Sequence, residues 1–225
     1  MKSMGKCDRC ILFDMDGTLV DSYEGIYNAY RWAMEQAGRP FGGHAFVKKA
    51  IGAPLMQVMT QLCGMDQAQA RQAVGDYRAY YARLGKRQAK AYPGMEETLR
   101  RLKEAGCFVG AATLKNEGFA KEILQQLGLA PYFDIVCGMD QDDRLTKAAL
   151  IRRCMAAAGA LAEETVLVGD SAFDAQGAKE AGVKFLAVTY GFGFRQPEEL
   201  QKYGISNPAR SPGEILQKLS LPRAM

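Results

Sequence analysis

Cys10-Ile11-Leu12-Phe13-Asp14-Met15-Asp16-Gly17-Thr18-Leu19-Val20 carries a short apolar run into two carboxylates and a Gly-Thr turn. A run this short, apolar and closed by a turn reads as a buried strand, with Asp14 and Asp16 where the strand ends. Residues i and i+2 of an extended chain lie on the same side. Two carboxylates held that way repel each other unless a cation or a shared proton relieves them.

After Val20 the character changes. Tyr23 to Ala37 carries Ile26, Tyr27, Tyr30, Ala33 and Met34 at helical spacing, with Asp21 or Ser22 as its cap. Short helices follow over Ala45–Ala50 and Leu55–Leu62, and a longer one from the Asp66 cap to about Leu84. Residues 21–88 hold no strand pattern and read as an all-helical insertion. From Ala91 strands and helices alternate. Strands are expected at Cys107–Ala112, within Tyr132–Cys137, at Thr165–Gly169 and at Lys184–Thr189. The intervening helices are Met95–Ala105, Glu117–Leu127, Lys147–Ala158 and Ala172–Ala181, and short ones close the chain near Pro197–Lys202 and Pro212–Leu219. This alternation implies an α/β fold: a Rossmann-like, doubly wound parallel sheet covered on both faces. The division is a core of residues 1–20 and 89–225 and a small helical cap of residues 21–88.

Composition bounds the partners. The chain has 225 residues and a net charge of +4, with no basic block or aromatic-studded basic stripe, so no nucleic-acid partner is expected. No apolar run approaches the roughly 18 residues of a membrane span. The opening residues are too few and too polar for a secretory signal, so a cytoplasmic protein is expected. Six scattered cysteines fit reduced thiols. Cys7-x-x-Cys10 lacks a second pair and a nearby histidine, which argues against zinc. The one histidine, His44, reads as a surface loop residue.

In a sheet of this kind the ligand sits beyond the carboxyl ends of the strands. The first strand ends in Asp14 and Asp16. The second ends in Thr113 with Lys115 close behind. Another ends in Gly169-Asp170-Ser171-Ala172-Phe173-Asp174, and Lys147 opens a helix after a polar loop over 138–145. Four carboxylates, a hydroxyl and one or two ammonium groups therefore converge on one crevice. Oxygen ligands without histidine or cysteine suit a hard cation such as Mg²⁺. The hydroxyl, the ammonium and the free N–H groups of a strand-to-helix turn suit a phosphate.

Asp14-Met15-Asp16-Gly17-Thr18-Leu19, then Thr113, then Lys147, then Gly169-Asp170-x-x-x-Asp174 resemble, in order and spacing, the motifs of the haloacid dehalogenase superfamily. The likeness is to its phosphatase branch, in the phosphoglycolate phosphatase and 5′-nucleotidase-like subgroup with a helical cap. Ile51-Gly52-Ala53-Pro54-Leu55 resembles the cap's substrate loop, and Tyr190-Gly191-Phe192-Gly193 a Gly-aromatic segment of the subgroup. Leu114 departs from the small or polar residue usual after the second-motif threonine, and Ala175-Gln176 from an aliphatic residue after the last motif.

The resemblance implies roles. Asp14 is the nucleophile that forms an aspartyl-phosphate, and Asp16 is first the acid for the leaving oxygen and then the base for water. Mg²⁺ is held by the Asp14 side chain, the Asp16 carbonyl and Asp170, with Asp174 ligating or orienting ligands. Thr113 and Lys147 hold phosphate oxygens, and Gly17 and Thr18 bring the turn's backbone to the phosphate. Lys115, Lys48 and Tyr23 are candidate substrate contacts, joined by Lys49, Leu55 and Arg195. The implied activity is a Mg²⁺-dependent phosphatase for a small phosphorylated metabolite, phosphoglycolate first and a nucleoside monophosphate next, working as a monomer or homodimer. Alternatives are a pyrophosphatase, a phosphosugar mutase or a non-catalytic phospho-ligand-binding module. A dehalogenase lacks the second acid that Asp16 supplies. A mutase needs an arginine in the cap loop, which Ile51–Leu55 does not contain. A phosphonate hydrolase needs a cap lysine at the nucleophile, for which Lys48 and Lys49 are the candidates.

Overall fold

A computed structural model of the chain describes residues 10–140 and 144–219. The core is a five-stranded parallel sheet in the order β5-β4-β1-β6-β7. Its central strand β1 (Cys10–Phe13) leads to a two-residue strand β2 (Val20–Asp21). Four helical segments come next: α1 (Tyr23–Gln36), α2 (Gly43–Ala50), α3 (Leu55–Gln57), which runs on as a π-turn over Val58–Leu62, and α4 (Gln67–Arg83). Strand β3 (Lys90–Ala91) returns the chain to the core and pairs antiparallel with β2, Val20 opposite Ala91. This two-strand neck is absent from the sequence reading, because two residues are too few to show a period. The rest alternates: α5 (Met95–Glu104), β4 (Phe108–Asn116), α6 (Glu117–Gln126), β5 (Ile135–Met139), α7 (Lys147–Ala158), β6 (Thr165–Gly169), α8 (Ala172–Ala181), β7 (Lys184–Ala187). Helices α9 (Pro197–Gln201) and α10 (Pro212–Lys218) close the chain.

Period-2 alternation in β1 explains why both faces of the sheet are covered. Ile11 and Phe13 join Leu99, Leu102, Ile123 and Ile215 in one core, which continues into the cap through Ile26, Tyr30 and Tyr77. Cys10 and Leu12 join Leu150, Ile151, Cys154 and Leu167 in the other. Each of these side chains is fully buried, or nearly so, and contributes roughly 1.5–3 kcal/mol if large and aliphatic or aromatic. The strand order turns around at β1, which lies between β4 and β6. Its carboxyl end is therefore the topological switch point, where such sheets bind ligands.

Two boundaries move. Strand β4 runs to Asn116 rather than ending at Ala112, because its pairing with β5 slips between Ala112 and Asn116 and then resumes at Met139. Thr113 and Lys115 thus lie within the strand, and the Asn116 side chain, not Thr113, caps α6 by accepting from Gly118 and Phe119. Asp66 caps α4 in a reciprocal box with Gln69, as the Asp-x-x-Gln spacing predicts. His44 lies in α2 rather than a loop, its Nδ1 2.7 Å from the Tyr23 hydroxyl. Cys10, Cys63, Cys137 and Cys154 are free thiols, whereas Cys107 is disulfide-bonded, so thiols are not present throughout. Which sulfurs meet is decided by tertiary geometry, which residue spacing does not carry. Cys7, and with it the Cys7-x-x-Cys10 pair, lies outside the described residues, as do 141–143 of the polar loop. Among the described residues no helix is long and apolar enough to cross a membrane.

Candidate active site

Asp14 follows β1 directly and is anchored by its N–H, which donates to the Val168 carbonyl of β6 at 2.8 Å. Its carboxylate is buried. Lys147, the first residue of α7, places Nζ 2.5 Å from Asp14 Oδ1 and 2.6 Å from Asp174 Oδ1. Helix α7 can begin there because the Thr146 hydroxyl caps it, accepting from Ala149. Asp174 has a divided task. Its Oδ1 meets Lys147, while its Oδ2 accepts from the Ser171 N–H at 3.0 Å and the Ser171 hydroxyl at 2.6 Å, forming the capping box of α8.

Asp170 completes the cluster from the end of β6. Its Oδ2 accepts the N–H groups of Phe192 at 2.6 Å and Gly193 at 2.9 Å. Two glycines let the backbone close around it. Gly17 has φ of 89°, and a Cβ there would fall 2.2 Å from Asp170 Oδ2. A Cβ on Gly191 would fall 2.1 Å from the Gly17 carbonyl and 2.4 Å from Asp170 Oδ2. The Gly-aromatic segment thus supplies the two donors that aim Asp170.

Asp14, Asp170 and Asp174 each offer an oxygen within 4.8 Å of the others, all buried. Against three carboxylates stands one ammonium, Lys147. Burial pushes the Asp14 carboxyl up to about 6, Asp174 and then Asp16 adding to the rise and Lys147 opposing it. Burial, then Asp174 and Asp14, push Asp170 up to about 8 against the pull of the Gly193 and Phe192 N–H groups. Burial works against charge on Lys147, yet Asp14 and Asp174 hold its pKa above that of an ordinary lysine. The set is all hard oxygen, crowded, and short of positive charge, which fits a divalent cation of the Mg²⁺ type.

These shifts set a direction for stability. Folded Asp14 and Asp170 hold protons that an unfolded carboxylate has already released, so between about pH 4 and 8 the folded state binds more protons than the unfolded one. Stability of the metal-free chain therefore falls as pH rises through that window. The lysines titrate above it and leave the slope unchanged. In EDTA, the melting temperature should drop from pH 5 to pH 8, and excess Mg²⁺ should raise it more at pH 8 than at pH 5. A melting temperature that climbs across the window would contradict the crowded-carboxylate picture.

Asp16 turns away from this cluster. Both its oxygens lie 2.9 Å from Lys115 Nζ, and Oδ1 also accepts the Ser22 hydroxyl at 2.5 Å. Lys115 in turn sits 4.4 Å from the centre of the Tyr81 ring, which α4 contributes from the cap. Asp14, Asp16, Thr113, Lys115, Lys147 and Asp174 all line one cavity of about 70 Å³. The cap closes it with Ile51, Leu55, Tyr30, Tyr77, Arg78 and Tyr81.

The Gly17 and Thr18 N–H groups donate within the turn, to the Val20 and Met15 carbonyls. A tight turn consumes its own donors. Lys115, lining the cavity, pairs with the half-buried Asp16. Tyr23 and Lys48 do not line the cavity of Asp14. With Tyr92, Tyr190, Phe192 and Arg195 they line a separate open groove. Sequence reasoning missed Ser22, Ser171 and Arg78. Ser22 is at the N-cap of α1 but makes no side-chain cap bond there, its hydroxyl being taken by Asp16. The Ser171-x-x-Asp174 spacing is a capping-box signal that could have placed Ser171.

Residues 11–188 match the haloacid dehalogenase-like hydrolase family. A 5′-nucleotidase of Pseudomonas aeruginosa is 35% identical over 81% of this chain and 83% of its own length. A phosphoglycolate phosphatase of Pseudomonas syringae pv. syringae is 34% identical, over 86% of this chain and 74% of its own. The crystal structure of a predicted phosphatase from Clostridium acetobutylicum superposes with a TM-score of 0.88 at 32% identity, covering 94% of this chain and 97% of that one.

Proposed function

The chain belongs to the haloacid dehalogenase-like hydrolase family, on its phosphatase branch, and from that premise we propose that it is a Mg²⁺-dependent phosphomonoesterase acting on phosphoglycolate. The observation that carries this reading is the cavity that Asp14, Asp16, Thr113 and Lys147 line together. The likeness to phosphoglycolate phosphatases puts phosphoglycolate first. A nucleoside monophosphate, more than twice as large, is the second reading, supported by the likeness to a 5′-nucleotidase.

Asp14 attacks phosphorus; an O–P bond forms as the ester P–O bond breaks, leaving an aspartyl-phosphate. Lys147 holds Asp14 Oδ1 and steadies its orientation, leaving the other oxygen for attack. Asp16 enters the reaction protonated, with one oxygen released from Lys115; it gives that proton to the departing oxygen and then, as the carboxylate, takes one from the water that cleaves the aspartyl-phosphate. Ser22 and Lys115 fix the Asp16 carboxylate between them. Thr113 lines the cavity from the middle of β4 and would contact the phosphoryl oxygens. Asp14, Asp170 and Asp174 would hold Mg²⁺, whose charge lets an anionic carboxylate meet an anionic phosphate. The cap residues Tyr30, Tyr77 and Tyr81 wall one side of the cavity and would lower its polarity around these charge contacts.

Phosphate release from a panel of monoesters, with and without Mg²⁺, tests the reading. Phosphoglycolate should lead nucleoside monophosphates, hexose phosphates and pyrophosphate by at least tenfold in kcat/KM, and EDTA should remove the activity. A nucleotide in first place would transfer the function to the second reading. No release from any ester by folded, Mg²⁺-loaded protein would overturn both.

A further inference from the structure

We infer that Arg78 is the residue by which the cap selects its substrate, and that it does so by binding a carboxylate on the leaving group. This rests on the phosphomonoesterase reading and deepens it. Arg78 lies in α4 between Tyr77 and Tyr81, two buried residues that line the same cavity. It is the one guanidinium among the described residues lining the cavity that holds Asp14 and Asp16.

The other two cations lining that cavity serve the core. Lys147 is held between Asp14 and Asp174, and Lys115 on both oxygens of Asp16. Both belong to the phosphoryl end of the site. The cap end is otherwise apolar or aromatic: Ile26, Tyr30, Ile51, Leu55 and, from the core, Leu114 and Phe119. Such walls bound the size of a leaving group but do not distinguish one small alcohol from another. A guanidinium does, because its planar fork of N–H donors matches the two oxygens of a carboxylate. Leu114 strengthens the point. It puts an aliphatic side chain beside Thr113, and Asn116, a further polar residue that β4 brings to the cavity, turns its amide oxygen to the N–H groups of Gly118 and Phe119. The substrate class that follows is a short 2-phosphoryloxy carboxylate, anionic at both ends.

A matched pair of substrates tests this. Phosphoglycolate and ethyl phosphate share a phosphoryl group and a two-carbon alcohol, and only the first carries a carboxylate. In the full chain with Mg²⁺, Arg78→Met should raise KM for phosphoglycolate about tenfold to a hundredfold with kcat changed less than threefold. It should leave kcat/KM for ethyl phosphate within twofold of wild type. Arg78→Lys, which keeps the charge and loses the fork, should recover part of the phosphoglycolate KM and carries the test if the methionine variant does not fold. Calorimetric titration of phosphoglycolate into the Asp14→Asn protein, with and without Arg78→Lys, should show the same loss of affinity with no turnover. Equal losses on both substrates, or no loss on phosphoglycolate, would overturn the role of Arg78 while leaving the phosphatase reading intact. Wild-type protein that hydrolyses neither ester would instead overturn the phosphatase reading.

Discussion

Asp14→Asn will abolish phosphate release, by a factor on the order of 10⁴ or more, and will not unfold the protein. The proposed mechanism needs an anionic oxygen at this position to bond to phosphorus, and a neutral amide supplies none. The substitution is nearly isosteric, and the backbone anchor from Asp14 N–H to the Val168 carbonyl is untouched. Stability should hold or rise, because one of three crowded carboxylates is removed while Lys147 keeps Asp174 at 2.6 Å. Steady-state phosphate assays and thermal melts at pH 8 measure both parts. Activity within tenfold of wild type would show that Asp14 is not the nucleophile. A melting temperature far below wild type would show that its charge is needed to pair Lys147.

Lys147→Met will do the opposite to stability. Methionine keeps much of the side chain's length and discards the ammonium that two buried carboxylates share. Removing one partner of a buried ion pair and leaving the other uncompensated costs about 3–5 kcal/mol. For a chain of this size that corresponds to a fall of roughly 10 °C in melting temperature. The loss should be larger at pH 8 than at pH 5, since Asp14 and Asp170 take up protons at the lower pH and reduce the repulsion. Turnover should fall at least about a hundredfold, because Asp14 loses the contact that orients it. A variant that melts with wild type at pH 8 would mean that the cluster is already neutral without Lys147.

Much of the architecture was legible before any coordinates. Strand β1 is visible as an apolar run cut off by Asp14, and α5 and α7 as helical stripes bounded by turn glycines, because these signals are local and periodic. The same holds for the convergence of Asp14, Thr113, Lys147 and Asp174 on one crevice: parallel strands point their carboxyl ends the same way, so residues at those ends meet wherever the sheet forms. Elements too short for a period went unseen, as β2 and β3 show. So did irregular pairing, as in the slip that extends β4 past Thr113.

Side-chain partnership was a different matter. Lys147 and Asp14 are 133 residues apart and Lys115 and Asp16 are 99 apart. The amino-acid order determined that two carboxylates leave the central strand together and that lysines arrive near them. Which lysine takes which carboxylate was decided by how α7 packs beside β1 and how β4 runs on past its expected end. Ser22 was a helix cap by local chemistry and became a partner of Asp16 only because the turn folds back over the strand end. Arg78 was one more charge on a polar helix until the cap set α4 over the cavity. Backbone propensity and periodicity act over a few residues and can be read in order along the chain. Charge pairing acts through space over a few ångströms, and only the folded backbone says which groups come that close.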